Sequence, residues 1–169
     1  MKISDVEKFL REVQKEKQSD MEVQFFDAKF VATWQHLYFA VLNALTAFKN
    51  RENISKSLAM EIMIYASAQR QIRKAMKIFG IKPEISEIAL VIVGNDSESV
   101  KLALSKISAI AKMQLDETVL GLTKEKEKLI KEKFRISNLE LKIVIKKDDL
   151  EEALIKLVIE RMALVVTQR

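Results

Sequence analysis

The stretch "EIMIYASAQRQIRKAMKIFGIK", residues 61–82, sets two unlike pieces end to end. Residues 61–68 are apolar or small apart from Glu61. Arg70, Arg73, Lys74, Lys77 and Lys82 then make residues 70–82 strongly basic, with no Asp or Glu among them. A helix is expected from Gln69 to Gly80, which stops it ahead of Pro83. Another is expected from about Lys56 to Tyr65, and periodicity leaves open whether "ASAQRQ" breaks or joins the two. At about 100° per residue, Arg70, Arg73, Lys74 and Lys77 fall within about 100° of each other, opposite Ile72, Ala75, Met76 and Phe79. Like charges spaced i,i+4 cost a few tenths of a kcal/mol per pair. Such a face calls for acids from elsewhere in the fold, or for an anionic ligand.

Working outward, alternation in "MEVQFFDAKF" (Met21, Val23, Phe25) predicts a strand, and "EIALVIV", ahead of "GNDS", predicts a second, buried one. Before the first strand, residues 1–19 read as a helix with Ile3, Val6, Leu10 and Val13 on one face. After it, a helix capped by Thr33 carries the stripe Trp34, Leu37, Tyr38, Val41, Leu45 and Phe48. Beyond the second strand, Asp96 or Ser97 caps a helix with Val100, Ala103, Leu104, Ile107 and Ile110 on its core face. The turn-like "LDETVLG" leads to "TKEKEKLIKEKF", a charged, solvent-facing helix. "LELKIVI" alternates as a strand would. Asp148 and Glu151 resemble a capping box for a helix from Leu150 to about Arg161, and "MALVV" is expected as a core strand. The predicted class is helix-dominated α/β (α+β), a small mixed sheet packed against a layer of helices. Residues 1–20 are read as an N-terminal helical extension and 21–169 as a single domain.

Composition narrows the chemistry. The 169 residues are 49% hydrophobic and 31% charged, with 3 Gly, 1 Pro and no Cys. A folded chain of this length buries roughly 70% of its extended surface. Without cysteine there is neither a disulfide framework nor a thiolate metal site, and one histidine, His36, cannot make a His-rich zinc site. With 3 glycines no nucleotide-binding loop can be written, so no cofactor is expected. His36 in "WQHLYF" reads as a packed or capping residue rather than a base. Glu61 reads as the partner of a lysine such as Lys56. No enzyme is expected. The N-terminus is charged throughout, unlike a signal peptide, and no apolar run is long enough to span a membrane, so the chain reads as cytoplasmic. The net charge of +5 matters less than its concentration after residue 69. Lys and Arg rows release counterions from phosphate backbones. Ser67, Gln69 and Gln71 add hydrogen-bonding groups, and Tyr65 a stacking face, the mixture that holds single-stranded nucleic acid.

Three segments carry a family resemblance: "HLYFAVLNALTAF" (36–48), "NISKSLAMEIMIYASAQRQIRKAMKIFGIK" (53–82) and "LIKLVIERMALV" (154–165). The middle one follows an archaeal E-I-x-x-Y-x-S-G-x-R-Q-I-x-x-A pattern through Glu61, Ile62, Tyr65, Ser67, Arg70, Gln71, Ile72 and Ala75, then Phe79, Gly80 and Ile81. Ala68 stands where many relatives have Gly. The chain thus resembles the small kinase-associated regulatory subunit of the KEOPS (EKC) complex, the family called TPRKB in vertebrates, over roughly residues 21–166. Residues 1–20 lie outside the resemblance. It implies a non-catalytic subunit of the complex that makes threonylcarbamoyladenosine in tRNA. Such a subunit binds the atypical kinase/ATPase subunit, meets the other subunits indirectly, and in archaeal members recruits tRNA by its single-stranded 3′ CCA end. The resemblance assigns RNA contact to Lys56, Ser67, Arg70 and Gln71; charge alone adds Arg73, Lys74 and Lys77. Two other classes compete: an adaptor whose basic helix docks an acidic protein groove without binding RNA, and an enzyme built on Glu61 and His36.

Overall fold

The computed structural model describes residues 3–145 and 149–167. In it β1 (Glu22–Asp27) pairs antiparallel with β2 (Ile88–Val93), from Glu22 opposite Val93 to Asp27 opposite Ile88. Adjacent strand residues point to opposite faces, so Phe25 and Phe26 enter different cores. Phe25 meets Phe9 and Val13 of α1 (Val6–Glu16) and Ile107 of α5 (Ser97–Ala111). Its ring stands edge-on to Phe9 at 5.0 Å. Phe26 enters the larger core, with α2 (Trp34–Asn50), α3 (Leu58–Ser67), α4 (Ile72–Phe79), α6 (Lys124–Phe134), α7 (Asn138–Val144) and α8 (Leu150–Ala163). Helices therefore cover both faces of a two-stranded partition, and the class is helix-dominated α+β.

At the centre lies α3, in which every residue from Glu61 to Ser67 is buried. It touches α2, α4, α8 and β1. Its long contact with α2 is made possible by Ala40, Ala44 and Ala47, a buried row of small side chains that lets the two helices approach closely. Thr33 sits at the N-cap of α2, but its Oγ1 is buried without a hydrogen-bond partner. On α1 the buried residues are Phe9 and Val13, while Leu10 of the expected face is exposed. Ile3 lies outside that helix, bridged to Ile85.

The C-terminal third corrects two strand expectations. "LELKIVI" is the helix α7, because Ser137 and Glu140 close a capping box: Glu140 N donates to Ser137 Oγ (3.2 Å) and Ser137 N to Glu140 Oε2 (2.7 Å). This local pair overrides the alternating pattern, burying Leu141 and leaving Leu139 and Ile143 exposed. "MALVV" extends α8 to Ala163 and then forms a 3-10 turn, Leu164–Thr167, with only Val165 buried. The sheet accordingly has two antiparallel strands rather than a mixed set. Asp148 lies outside the described residues; the cap of α8 is Asp149, which accepts from Glu152 N at 2.9 Å. Asp96 caps α5 as expected. α6 is charged but not wholly solvent-facing, since it buries Lys126, Ile130 and Phe134.

Four helix ends in this chain take a left-handed conformation without glycine. α2, α3, α5 and α6 each end on a left-handed residue, respectively Arg51, Ala68, Lys112 and Arg135, with φ between 49° and 59°. The three basic ones complement the helix dipole; Ala68 has no such compensation. Ala68→Gly should raise stability by about 0.5–1 kcal/mol, since the left-handed penalty outweighs the added chain entropy. Ala68→Val should lower it. Thermal unfolding of the two variants checks the sign of both.

Candidate nucleic-acid interface

Because α3 is buried along its length, its two ends emerge as surface loops, and the predicted site residues lie at those ends. Between them α3 runs ten residues, about 15 Å at 1.5 Å per residue. At its C-terminal end, Ala68 (φ 49°, ψ 38°) donates its N–H back to Ile64 and Tyr65, so the chain breaks here and α4 starts afresh after Gln71. Arg70 is half-buried, and its Nη1 donates to the carbonyl of Val166 in the C-terminal turn at 3.3 Å. Gln71 occupies the N-cap of α4 without a side-chain cap bond, leaving the first N–H groups of that helix available. Gln71, Arg73, Lys74 and Lys77 are all exposed.

α4 is held down by buried Ala75 and Phe79, with half-buried Ile78 packed beside them. Phe79 packs with Phe30, His36 and Phe134, ring centroids 5.5–6.2 Å apart. Ile72 and Met76, expected on the buried side, are exposed, so α4 shows cations and apolar side chains together. Gly80 closes the helix because a Cβ there would come within 2.5 Å of the Met76 carbonyl oxygen. Among the described residues, Lys56, Arg70, Arg73, Lys74 and Lys77 are in no ion pair within 4.0 Å; every pair found lies elsewhere. The acids that would neutralise a purely structural basic face are missing.

At the N-terminal end of α3, Lys56 is exposed on a loop bonded from beneath. Glu61, fully buried, accepts N–H bonds from Ile54 (3.1 and 3.0 Å to its two oxygens) and Ser55 (2.7 Å). Asn53 Nδ2 donates to the Ser55 carbonyl (2.9 Å), Ser57 N to Ser55 Oγ (3.2 Å), and Met60 N to the Ser57 cap (3.4 Å). Glu61 is thus bound by backbone amides, not by Lys56 as the sequence had led us to expect. Its one signal in the sequence was its isolation: it is the sole charge in α3. Ser67, in contrast to the other site residues, is buried, and its hydroxyl donates to the Ile64 carbonyl at 3.2 Å.

His36 is the packed residue anticipated. Its Nδ1 accepts from Ala32 N at 3.1 Å, and its Nε2 lies 2.7 Å from the Ala66 carbonyl. Both Glu61 and His36 are therefore committed to backbone partners. A cleft of about 810 Å³ between β2 and α5 is lined by none of the predicted site residues, and among the described residues no group of His, Asp or Glu is placed to hold a metal. Nor is any described helix long and apolar enough to cross a membrane.

A second surface was not foreseen. The stripe expected on α2 is split: Leu37 is buried and Val41 and Phe48 are half-buried, but Trp34 is 59% exposed, Tyr38 52% and Leu45 41%, joined by Leu42 at 40%, while the alanine row is buried. Trp34 and Tyr38 stack edge-on, 6.0 Å between centroids. Periodicity locates two apolar stripes on such a helix and cannot say which is covered; the smaller side chains win here because α3 needs close approach.

Burial pushes the His36 imidazole down to about 4, against the raising effect of its bond to Ala66. The unfolded chain, at about 6.5, binds a proton that the folded chain refuses, so stability is full above pH 6.5 and is lost as pH falls toward 4. Between pH 7 and pH 4.5 this one group should remove about 2 kcal/mol. Glu140, held at about 2 by the Ser137 amide and then by Arg161, acts in the same direction but only at lower pH. Urea unfolding across that range measures the slope, and a flat profile would contradict the buried neutral imidazole.

Comparison with known proteins gives the family. The chain matches the family described as "Kinase binding protein CGI-121" over residues 2–165, a span that includes α1. It is similar to the "Regulatory protein Cgi121" of Methanocaldococcus jannaschii, 35% identical over 116 residues, which is 69% of this chain and 72% of that protein. With nearly its whole length matched, and with the described fold in place around the motif-bearing α3, the chain belongs to the CGI-121 family of kinase binding proteins.

Proposed function

We propose that this protein is a non-catalytic, cytoplasmic regulatory subunit of a KEOPS-type complex that makes threonylcarbamoyladenosine in tRNA. It recruits tRNA through the 3′ CCA end at the two ends of α3 and binds the kinase/ATPase subunit through the outward face of α2. The observation that carries the RNA assignment is the basic segment Arg70–Lys77 with no acid paired to it. Unpaired cations beside the uncapped first turn of α4 suit phosphates, which take both charge and backbone N–H donors. Exposed Ile72 and Met76 offer apolar contact for bases between those charges. Ser67, being buried, contributes by holding the turn through Ile64 rather than by direct contact.

The kinase assignment draws on family membership and on the α2 stripe. At about 100° per residue, Trp34, Tyr38, Leu42 and Leu45 fall within a sector of about 80°. That is the width of a helix face that seats in a partner's groove. A Trp–Tyr pair at its head is the residue type in which interface energy concentrates.

Titrating intact tRNA and the same tRNA without its CCA end at two salt concentrations tests the RNA role. Affinity should require the CCA end, fall steeply with salt, and drop in Arg70→Glu. Equal weak binding of both RNAs would favour a protein-docking role for α4. For the kinase, Trp34→Ala should weaken association by about 2 kcal/mol, roughly 30-fold. Because Trp34 is exposed, the same variant should leave stability and tRNA affinity unchanged. Loss of tRNA binding together with kinase binding would merge the two surfaces into one.

A further inference from the structure

We infer that Glu61 is a positioning residue for RNA binding, whose buried carboxylate fixes the backbone of the Lys56 loop so that the Lys56 ammonium meets a phosphate. This rests on the RNA role proposed above and names a residue that cannot itself touch RNA, since Glu61 has no exposed surface. A fully buried carboxylate is costly unless its oxygens are hydrogen-bonded. Here the donors come from two consecutive backbone amides, Ile54 and Ser55, immediately before Lys56. No cation lies within 4.0 Å of it among the described residues.

On the far side of Lys56, Ser57 is held by its amide to Ser55 Oγ and by its own hydroxyl at the start of α3. The Lys56 backbone is bracketed on both sides, while its side chain stays exposed and unpaired. Since Glu61 lies in the first turn of α3, the loop is fastened to the same rigid helix that carries the Arg70 turn at its other end. The carboxylate therefore keeps the two basic ends in a constant relation, as pre-organisation of a binding site requires. An acid here serves where an amide would not: a carboxylate only accepts, whereas glutamine would turn a donor toward one of the two N–H groups.

The test is a cycle of Glu61→Gln, Lys56→Ala and the double variant, each titrated with intact tRNA from 50 to 200 mM salt at a temperature where all are folded. Losing one phosphate contact lowers the slope of log affinity against log salt by about one, about fourfold over this range. Glu61→Gln and Lys56→Ala should each show that loss, and the double variant no more than either. Partial unfolding would reduce the active fraction and leave the slope unchanged. Wild-type slope in Glu61→Gln, or additive losses in the double variant, would overturn the inference with the RNA role intact. Absence of tRNA binding by the wild-type chain would overturn both together. Should Glu61→Gln fail to fold, Asn53→Ala releases the Ser55 carbonyl from the same loop. It must then lower the slope in the Lys56 chain and not in Lys56→Ala; an unchanged slope in the Lys56 chain would sink the inference.

Discussion

The burial of α3 on every side is the constraint on which the other features depend. A helix of ten residues with one charge cannot lie at the surface, so α2, α4, α8 and β1 must enclose it. Enclosure has two consequences. Neighbouring elements need small side chains where they touch it, which the alanine row of α2 supplies, leaving Trp34, Tyr38, Leu42 and Leu45 of that helix outward. And the polar groups of α3 can reach solvent only at its ends, where the hydrogen-bonded loop Ile54–Ser57 and the left-handed turn at Ala68 form. One buried helix thus yields an apolar outer face and a pair of basic loops.

Electrostatics divides the molecule in the same way. The buried carboxylate of Glu61 is matched by backbone dipoles, not by a lysine, so Lys56 remains available at the surface. Elsewhere charges are paired: Lys131 with Glu127 one turn away, and across helices Lys106 with Glu16 and Arg161 with Glu140. The exposed Lys106–Glu16 pair contributes at most about 1 kcal/mol and does not decide the fold. The distribution of the pairs is the informative part, since it leaves the α4 cations unmatched while acids elsewhere are used.

Much of this was legible in the sequence, and the failures share a physical cause. The two strands, the order of the helices other than α7, the stop at Gly80 and the cationic face of α4 all follow from local periodicity and punctuation, which is why they could be read. "LELKIVI" misled because a capping box between Ser137, just ahead of the alternating run, and Glu140 within it decided its conformation. "MALVV" misled because an apolar run is satisfied equally by a strand or by a helix end packed through Met162 and Val165. The α2 stripe and the Glu61 clamp are tertiary choices: which of two apolar faces is covered, and which donors a lone acid finds, depend on residues distant in space or on loop geometry that no spacing encodes. The residues of the candidate site were nameable from charge and family pattern; the burial of Ser67 and the exposure of Met76 were not.

Amide hydrogen exchange of the isolated chain, with and without intact tRNA, tests most directly the claim that the two ends of α3 form one RNA interface. Protection gained at residues 54–57 and at 69–77, with the outer face of α2 unchanged, is the expected result. Protection confined to α4, or centred on residues 34–45, would contradict it.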